Sequence, residues 1–392
     1  MVRADVAASP VFRALAAGQL NLNHDIPALT GLRAIAVLMV VLQHCWLTTH
    51  HDGLPFVDHL FRSAASLWVG VDLFFVLSGF LLTRILLHTK KDRHFYRNFY
   101  ARRCLRIWPL YYTLLAFAAG FALFNTHTSY CSAPLSTLTW PLTFSTNFYI
   151  AIYHNWDIGV GGIALCHLWS LAVEEHFYLF LPWVVRKFKA HQLILGCAFT
   201  VLLMVLLRLA ALVLTKNYDA IGLLTPFRLD SFCAGSLAAC LLATTSDSEL
   251  RLRISNICFY PTAILVAVMI ITTHLFRGNL IVSTLGYSLL AINFASLIGI
   301  LASSNRNHIF SRALTHPALM FLGKHSYAIY LVHLPVAKLV NVNLVAWHLI
   351  ESPAQLVVLG VFLPLAMTIA LSVVCWHVIE KPCLRLKVHF AD

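Results

Sequence analysis

The sequence predicts an all-α protein, a polytopic transmembrane helical bundle of about ten spans with both termini cytoplasmic. Three observations carry that expectation. The first is composition: 59% of the 392 residues are hydrophobic and 11% are charged, where soluble domains hold about 45–50% and about 25%. The same figures exclude a disordered chain, a coiled coil and a small disulfide scaffold. The second is a series of mostly apolar stretches near the roughly 20 residues that cross a bilayer core. They fall at 31–49, 66–88, 107–125, 165–185, 192–215, 225–244, 257–275, 279–302, 317–341 and 355–379. The third is the placing of Lys and Arg. With the N-terminus inside, nineteen fall in inner segments and only Arg62, Lys216 and Arg277 in outer loops. Positive residues collect on the cytoplasmic side, and both termini inside requires an even number of spans.

Residues 1–30 read as a short cytoplasmic lead, since Arg3, Asp5, Arg13 and Asp25 interrupt any signal-peptide core. Residues 31–380 form the transmembrane domain, and 381–392 a cytoplasmic tail. The net charge of +12 reflects membrane topology, with the lipid bilayer as partner and no nucleic acid. The 10 Cys include no CxxC pair, so no metal is expected, and His50-His51-Asp52 is a poor joint ligand set. The longest outer loop, 126–164, is aromatic and lacks Lys and Arg. Cys131 and Cys166 there are either bridged or two free thiols. No internal repeat of the inverted-transporter kind is visible.

Ionisable side chains inside a bilayer cost about 2.5–3.5 kcal/mol each on insertion scales and mark function by default. Span one carries Arg33 and His44, eleven residues apart. At about 100° per residue they share one face, roughly 16 Å apart along the axis. Arg33 then lies near the inner surface and His44 deeper, in the outer half. Span two carries Asp72 in an apolar run, with Ser78 and Gly79 small enough for close helix contact or passage of a ligand chain. Span four places His167, Ser170, Glu174 and Tyr178 on one face, beside Glu175. Glu174 is expected near the depth of His44, where it or Asp72 would tune the imidazole, or else in a structural ion pair with Arg228. Span six holds Arg228 and Asp230, and span nine Lys324, His325 and His333. After span two, Arg102, Arg103 and Arg106 form a basic, aromatic stretch. It reads either as topology and lipid headgroup contact or as a phosphate site, because guanidinium forks bind phosphate bidentately.

Six elements in order resemble the acyltransferase-three family of integral-membrane O-acyltransferases. They are Arg33-x10-His44, Phe74-Phe-Val-Leu-Ser78-Gly79, Arg103-x-x-Arg106 followed by Pro109, His167-Leu-Trp169-Ser170-Leu-x-x-Glu174-Glu175, Gly323-x-x-Ser326-Tyr327-x-x-Tyr330-Leu-x-His333, and Ile379-Glu380-Lys381-Pro382. Each alone is weak; the ordered set is specific. The resemblance implies a cytoplasmic acyl-CoA, most often acetyl-CoA, as co-substrate. It implies a hydroxyl of an extracytoplasmic carbohydrate or glycolipid, such as O-antigen, capsule or exopolysaccharide, as acceptor. It implies a bacterial inner (plasma) membrane. By the same resemblance Arg33 and His44 match the motif essential for transfer, and Arg103 and Arg106 a second arginine motif at the CoA phosphates. Arg102 and Ser78 complete the expected CoA-binding set. Relatives with an added hydrolase-like domain exist, and this chain, ending soon after Pro382, is expected to lack one. Glu174 and Asp72 complete the expected catalytic set. Trp140, Trp156, His333 and Tyr330 are the expected acceptor-binding set.

His44 is then either a general base on the acceptor hydroxyl or a nucleophile forming a transient acyl-imidazole; the sequence leaves both open. Two other functions compete. One is a transporter or flippase for a lipid-linked sugar, with the buried charges as a proton relay. The other is a non-catalytic membrane partner of a polysaccharide assembly complex.

Overall fold

The computed structural model describes residues 26–48, 64, 66–125, 133–304, 309–346, 349, 352, 355 and 357–390. Helices occupy all ten expected positions: α1 Pro27–Leu47, α2 Val69–His88, α3 Phe95–Phe124, α4 Trp169–Lys187, α5 Ala190–Thr215, α6 Thr225–Thr244, α7 Ser248–Thr273, α8 Tyr287–Ser303, α9 Pro317–Ala346 and α10 Leu363–Cys375. Their starts follow local chemistry. Pro27 and Pro226 sit in first turns, where a missing N–H costs nothing. Asp247 caps α7 by accepting from the N–H groups of Glu249 and Leu250.

Among the described residues nine helices are long and apolar enough to cross a membrane. The fourth expected span, α4, is not one of them, because Glu174, Glu175, His176, Arg186 and Lys187 dilute its 19 residues. It runs from the middle of the bundle to the basic end. Its lead-in contacts the middle of α9 through His167, and at its other end Lys90 Nζ donates to the Phe188 carbonyl. Leu179, Phe180 and Trp183 face outward while Ser170 and Tyr178 are buried, so the polar stripe is shielded by neighbouring helices.

Successive helices alternate in direction. One end, called here the basic end, gathers the start of α1, the close of α2, the start of α3 and the chain's last described residues. Thr30, Arg33, Arg103 and Lys387 border one depression there, and Arg102 donates to the Phe390 carbonyl at 2.6 Å. The two ends of the described chain therefore lie on one face of the bundle. Residues 381–390 form short helical turns packed on α3. The far end is capped by the described part of the outer loop. Helical turns at 135–142 and 146–153 lead into a two-residue hairpin, Gly159–Val160 (β1) with Ile163–Ala164 (β2). Its turn needs glycine: Gly161 has φ +58°, and a Cβ there would lie 2.5 Å from Ala122 Cα.

The interior is built from α1, α2, α6, α8 and α9, while α5 and α7 present mostly apolar outer faces. α2 and α6 cross at glycine. A Cβ on Gly79 would meet the Phe232 carbonyl oxygen at 2.1 Å, and one on Gly235 the Val76 oxygen at 2.0 Å. Gly79 thus serves close packing, while its neighbour Ser78 faces a cavity.

Candidate active site

Arg33 enters from the first turns of α1. Arg103 and Arg106 enter from α3, which begins at Phe95, twelve residues before the expected span, so the basic stretch is helical. At spacing i,i+3 the two share a face. With Thr30, Lys324 and Lys387 these arginines border an open depression of about 650 Å³ at the basic end. Arg33, Arg103 and Arg106 also line a narrower cavity of about 120 Å³ leading inward, whose walls include Ser78, Glu174, Tyr178 and Ser170. Arg106 is held by Glu380, Nη1 to Oε2 at 3.0 Å, and lies over the Tyr327 ring. Among the described residues no hydrogen bond or ion pair engages the guanidinium of Arg33 or Arg103. Arg102 points elsewhere, into the Phe390 carbonyl and a second depression it shares with Arg103.

Glu174 forms the polar wall. Its carboxylate accepts from Ser78 Oγ at 3.1 Å and from Tyr178 OH at 2.6 Å. It does not reach His44. The expectation that Glu174 tunes the imidazole is therefore replaced by a carboxylate set toward Arg33 and Arg103. The cavity ends at Tyr330, whose hydroxyl meets Ser170 Oγ and lies 3.0 Å from the His167 carbonyl, with the edge of Phe74 against its ring.

Beyond that layer lies His44. It packs against His333, ring centroids 4.9 Å apart, and His333 against His167 at 5.1 Å. His44 Nδ1–H donates to the Val40 carbonyl at 2.9 Å, its own helix's i−4 oxygen. Its Nε2 has no partner among the described residues. The cluster depends on a proline. Pro335 interrupts α9 and has no N–H for the Leu331 carbonyl four residues earlier. His167 Nε2 takes that carbonyl at 3.0 Å.

Asp72 lies elsewhere. Its carboxylate pairs with Arg228 and accepts from Ser231 Oγ at 3.3 Å. Arg228 also lies 3.9 Å from the centre of the Tyr287 ring. Alongside, Arg208 bonds Asp230 at 2.8 Å, Ser288 Oγ at 2.6 Å and the carbonyls of Phe227 and Thr284. Asp72 thus belongs to a closed ion-pair group, and neither carboxylate touches His44. Tyr330 and His333, expected to touch the acceptor, are 6% and 0% exposed and build the central barrier. Trp140 packs with Tyr149 and Tyr153, and Trp156 donates to Asp219 at 3.3 Å; both sit in the far-end cap. Cys131 and His50–Asp52 lie outside the described residues, and among those described no cluster of His, Cys, Asp or Glu fits a metal.

Two features escaped the sequence reading. Arg208 was visible as a lone cation in an apolar run, without a sign of its partners. His167 and His333 were each noted, but their meeting with His44 depends on how α1, α4 and α9 pack.

A family model described as an acyltransferase domain matches residues 26–377. The chain belongs to that family. Relatives that match this chain include a putative O-acetyltransferase of Staphylococcus aureus strain COL, 27% identical over 340 residues. The O-acetyltransferase OatA of Staphylococcus aureus strain NCTC 8325 is 25% identical over 334 residues. Each alignment covers 81% of this chain and 51% of the relative, so the chain spans about half the length of the curated relatives it matches. No solved structure matches. Membership and the nine apolar helices among the described residues make the chain an integral membrane protein.

Proposed function

We propose that the protein is a membrane O-acyltransferase. It takes an acyl group, acetyl foremost, from acyl-CoA at the basic end and delivers it to a hydroxyl of a carbohydrate or glycolipid arriving at the far end. The observation that carries this is a pair of guanidinia, Arg33 and Arg103, facing a cavity that leads toward the His44 imidazole, with neither guanidinium nor His44 Nε2 engaged among the described residues. With Arg106, Lys324 and Lys387 they surround the open depression with cations suited to the phosphates of a CoA nucleotide. The pantetheine arm would follow the narrow cavity past Ser78 and Glu174. The Tyr330–Ser170 contact closes that route and must part for a thioester to reach His44. In this reading the basic end faces the cytoplasm of a bacterial cell and the aromatic cap faces outward. O-antigen, capsule or exopolysaccharide is the class of acceptor.

His44 acts as general base. Its Nε2 takes the hydroxyl proton as the oxygen attacks the thioester carbon, then returns it to the departing thiolate. Trp140 and Trp156 offer ring faces to a sugar. The transporter alternative needs buried charges free to titrate, whereas Asp72, Asp230, Arg208 and Arg228 are engaged with one another.

The test uses full-length protein in nanodiscs with radiolabelled acetyl-CoA. His44→Ala is expected to lower acyl transfer by about a thousandfold, within the usual range for a general base, while acetyl-CoA still binds. Equal turnover in wild type and variant would remove His44 from the chemistry. Label retained on wild-type protein would replace the general base by an acyl-imidazole.

A further inference from the structure

Three imidazoles meet where α1, the lead-in to α4 and α9 converge, and their hydrogen bonds assign their protons. His333 Nδ1 lies 2.5 Å from the Tyr330 carbonyl, His44 Nδ1 2.9 Å from that of Val40, and His167 Nε2 3.0 Å from that of Leu331. A carbonyl oxygen only accepts, so each of these nitrogens carries hydrogen and the other nitrogen of each neutral ring is a lone pair. His333 Nε2 is therefore an acceptor, and it lies 3.3 Å from His44 Nδ1. The His44 Nδ1–H is shared between Val40 and His333, and the lone pair of His44 is left on Nε2.

We propose that His333 is the positioning residue of the transfer reaction, orienting His44 in the Nδ1–H form and sharing the positive charge His44 gains when it takes the acceptor's proton. The inference rests on His44 being the base. As the acceptor oxygen bonds the acyl carbon, the hydroxyl proton passes to His44 Nε2 and the carbon–sulfur bond breaks. The imidazolium now holds hydrogen on both nitrogens, and Nδ1–H points at the lone pair of His333. The proton on Nε2 then goes to the thiolate, and both rings end neutral. The other His333 nitrogen already donates to the Tyr330 carbonyl, so the chain of lone pairs stops there and the proton has no path onward. A neutral ring also suits this depth better than a carboxylate. His333 is fully buried and, among the described residues, no carboxylate hydrogen-bonds the cluster, and a lone buried anion costs far more than an imidazole.

The test uses the full chain in nanodiscs with acetyl-CoA as donor, water as acceptor and CoA thiol release as readout. His333→Leu is expected to lower kcat about a hundredfold with KM for acetyl-CoA within about twofold, part of the range a general base supplies. His333→Gln, whose side-chain oxygen can accept from His44 Nδ1–H, is expected to stay within about tenfold of wild type. In a His44→Ala background, His333→Leu should add no further loss, because the two act as one unit. A His333→Leu variant with near-normal kcat, beside an inactive His44→Ala, overturns this inference and leaves the general function standing. If wild type releases no CoA, or His44→Ala matches it, the general reading falls first. Should the leucine variant fail to fold, His333→Gln decides: monodisperse and active supports the proposal, monodisperse and a hundredfold slower overturns it.

Discussion

Two groups of arginines lie within this bundle, one buried and one half-buried, and their surroundings differ in kind. Arg208 and Arg228 are 0% and 1% exposed, and each is matched to an aspartate. Arg208 adds two carbonyls and a serine, and Arg228 lies against the Tyr287 ring. Arg33 and Arg103 point into a cavity with no hydrogen bond or ion pair among the described residues. Burial of a guanidinium is costly unless compensated. The first group is compensated within the chain and holds α2, α5, α6 and α8 together. The second is set up for compensation from outside, by an anion that enters. Buried charge in a membrane protein therefore signals function only after its partners have been counted.

The sharpest way to break that contrast is to damage the closed group. Asp230→Ala leaves Arg208 uncompensated, and breaking a buried pair costs about 3–5 kcal/mol. Thermal unfolding in detergent is expected to show that loss, while the remaining folded molecules keep their activity per molecule. An unchanged midpoint would show that the network is not structural. The matching experiment on the open group is Arg33→Gln and Arg103→Gln. Each removes a charge-assisted contact worth about 1.5–3 kcal/mol, so KM for acetyl-CoA should rise about 10- to 100-fold with no loss of thermal stability. Destabilisation equal to that of Asp230→Ala would erase the distinction. Arg106 belongs to both kinds, since it faces the cavity and is paired with Glu380. Arg106→Gln should show both effects in weaker form, a KM rise of about fivefold and a stability loss of about 1 kcal/mol, read in the same two assays. The smallest effect is expected at the far-end cap. Trp156→Ala should weaken the acceptor's apparent affinity about threefold, as loss of a modest ring contact does, without changing acetyl-CoA hydrolysis. Equal loss of both would detach Trp156 from the acceptor.

Much of the fold was legible because apolar length is a direct physical requirement of a bilayer. All ten helices lie where the expected spans fell, the polar α4 among them. Boundaries were harder. The start of α3 was misjudged because a surface helix of Arg, Tyr and Asn lacks the apolar signal on which the span was drawn. Arg33, Arg103, Arg106, Ser78 and Glu174 were named from the sequence and do share one cavity. The partner of His44 was not found, because depth along a helix does not give rotation about it. Glu174 was placed near the depth of His44, yet its carboxylate turns to Ser78 and Tyr178, while the ring across from His44 belongs to α9.

Pro335 ties two distant parts of the chain together. Proline within a helix is ordinarily a defect to be repaired, and replacing it with alanine restores a main-chain donor. Here the vacated oxygen of Leu331 has been taken by a side chain from a segment 164 residues away in sequence. Two parts of the chain have become interdependent through one missing hydrogen. Restoring that hydrogen would set the new amide against His167 for the same oxygen and release the ring from the orientation that seats it beside His333. A substitution that mends the helix would thereby loosen the centre of the molecule.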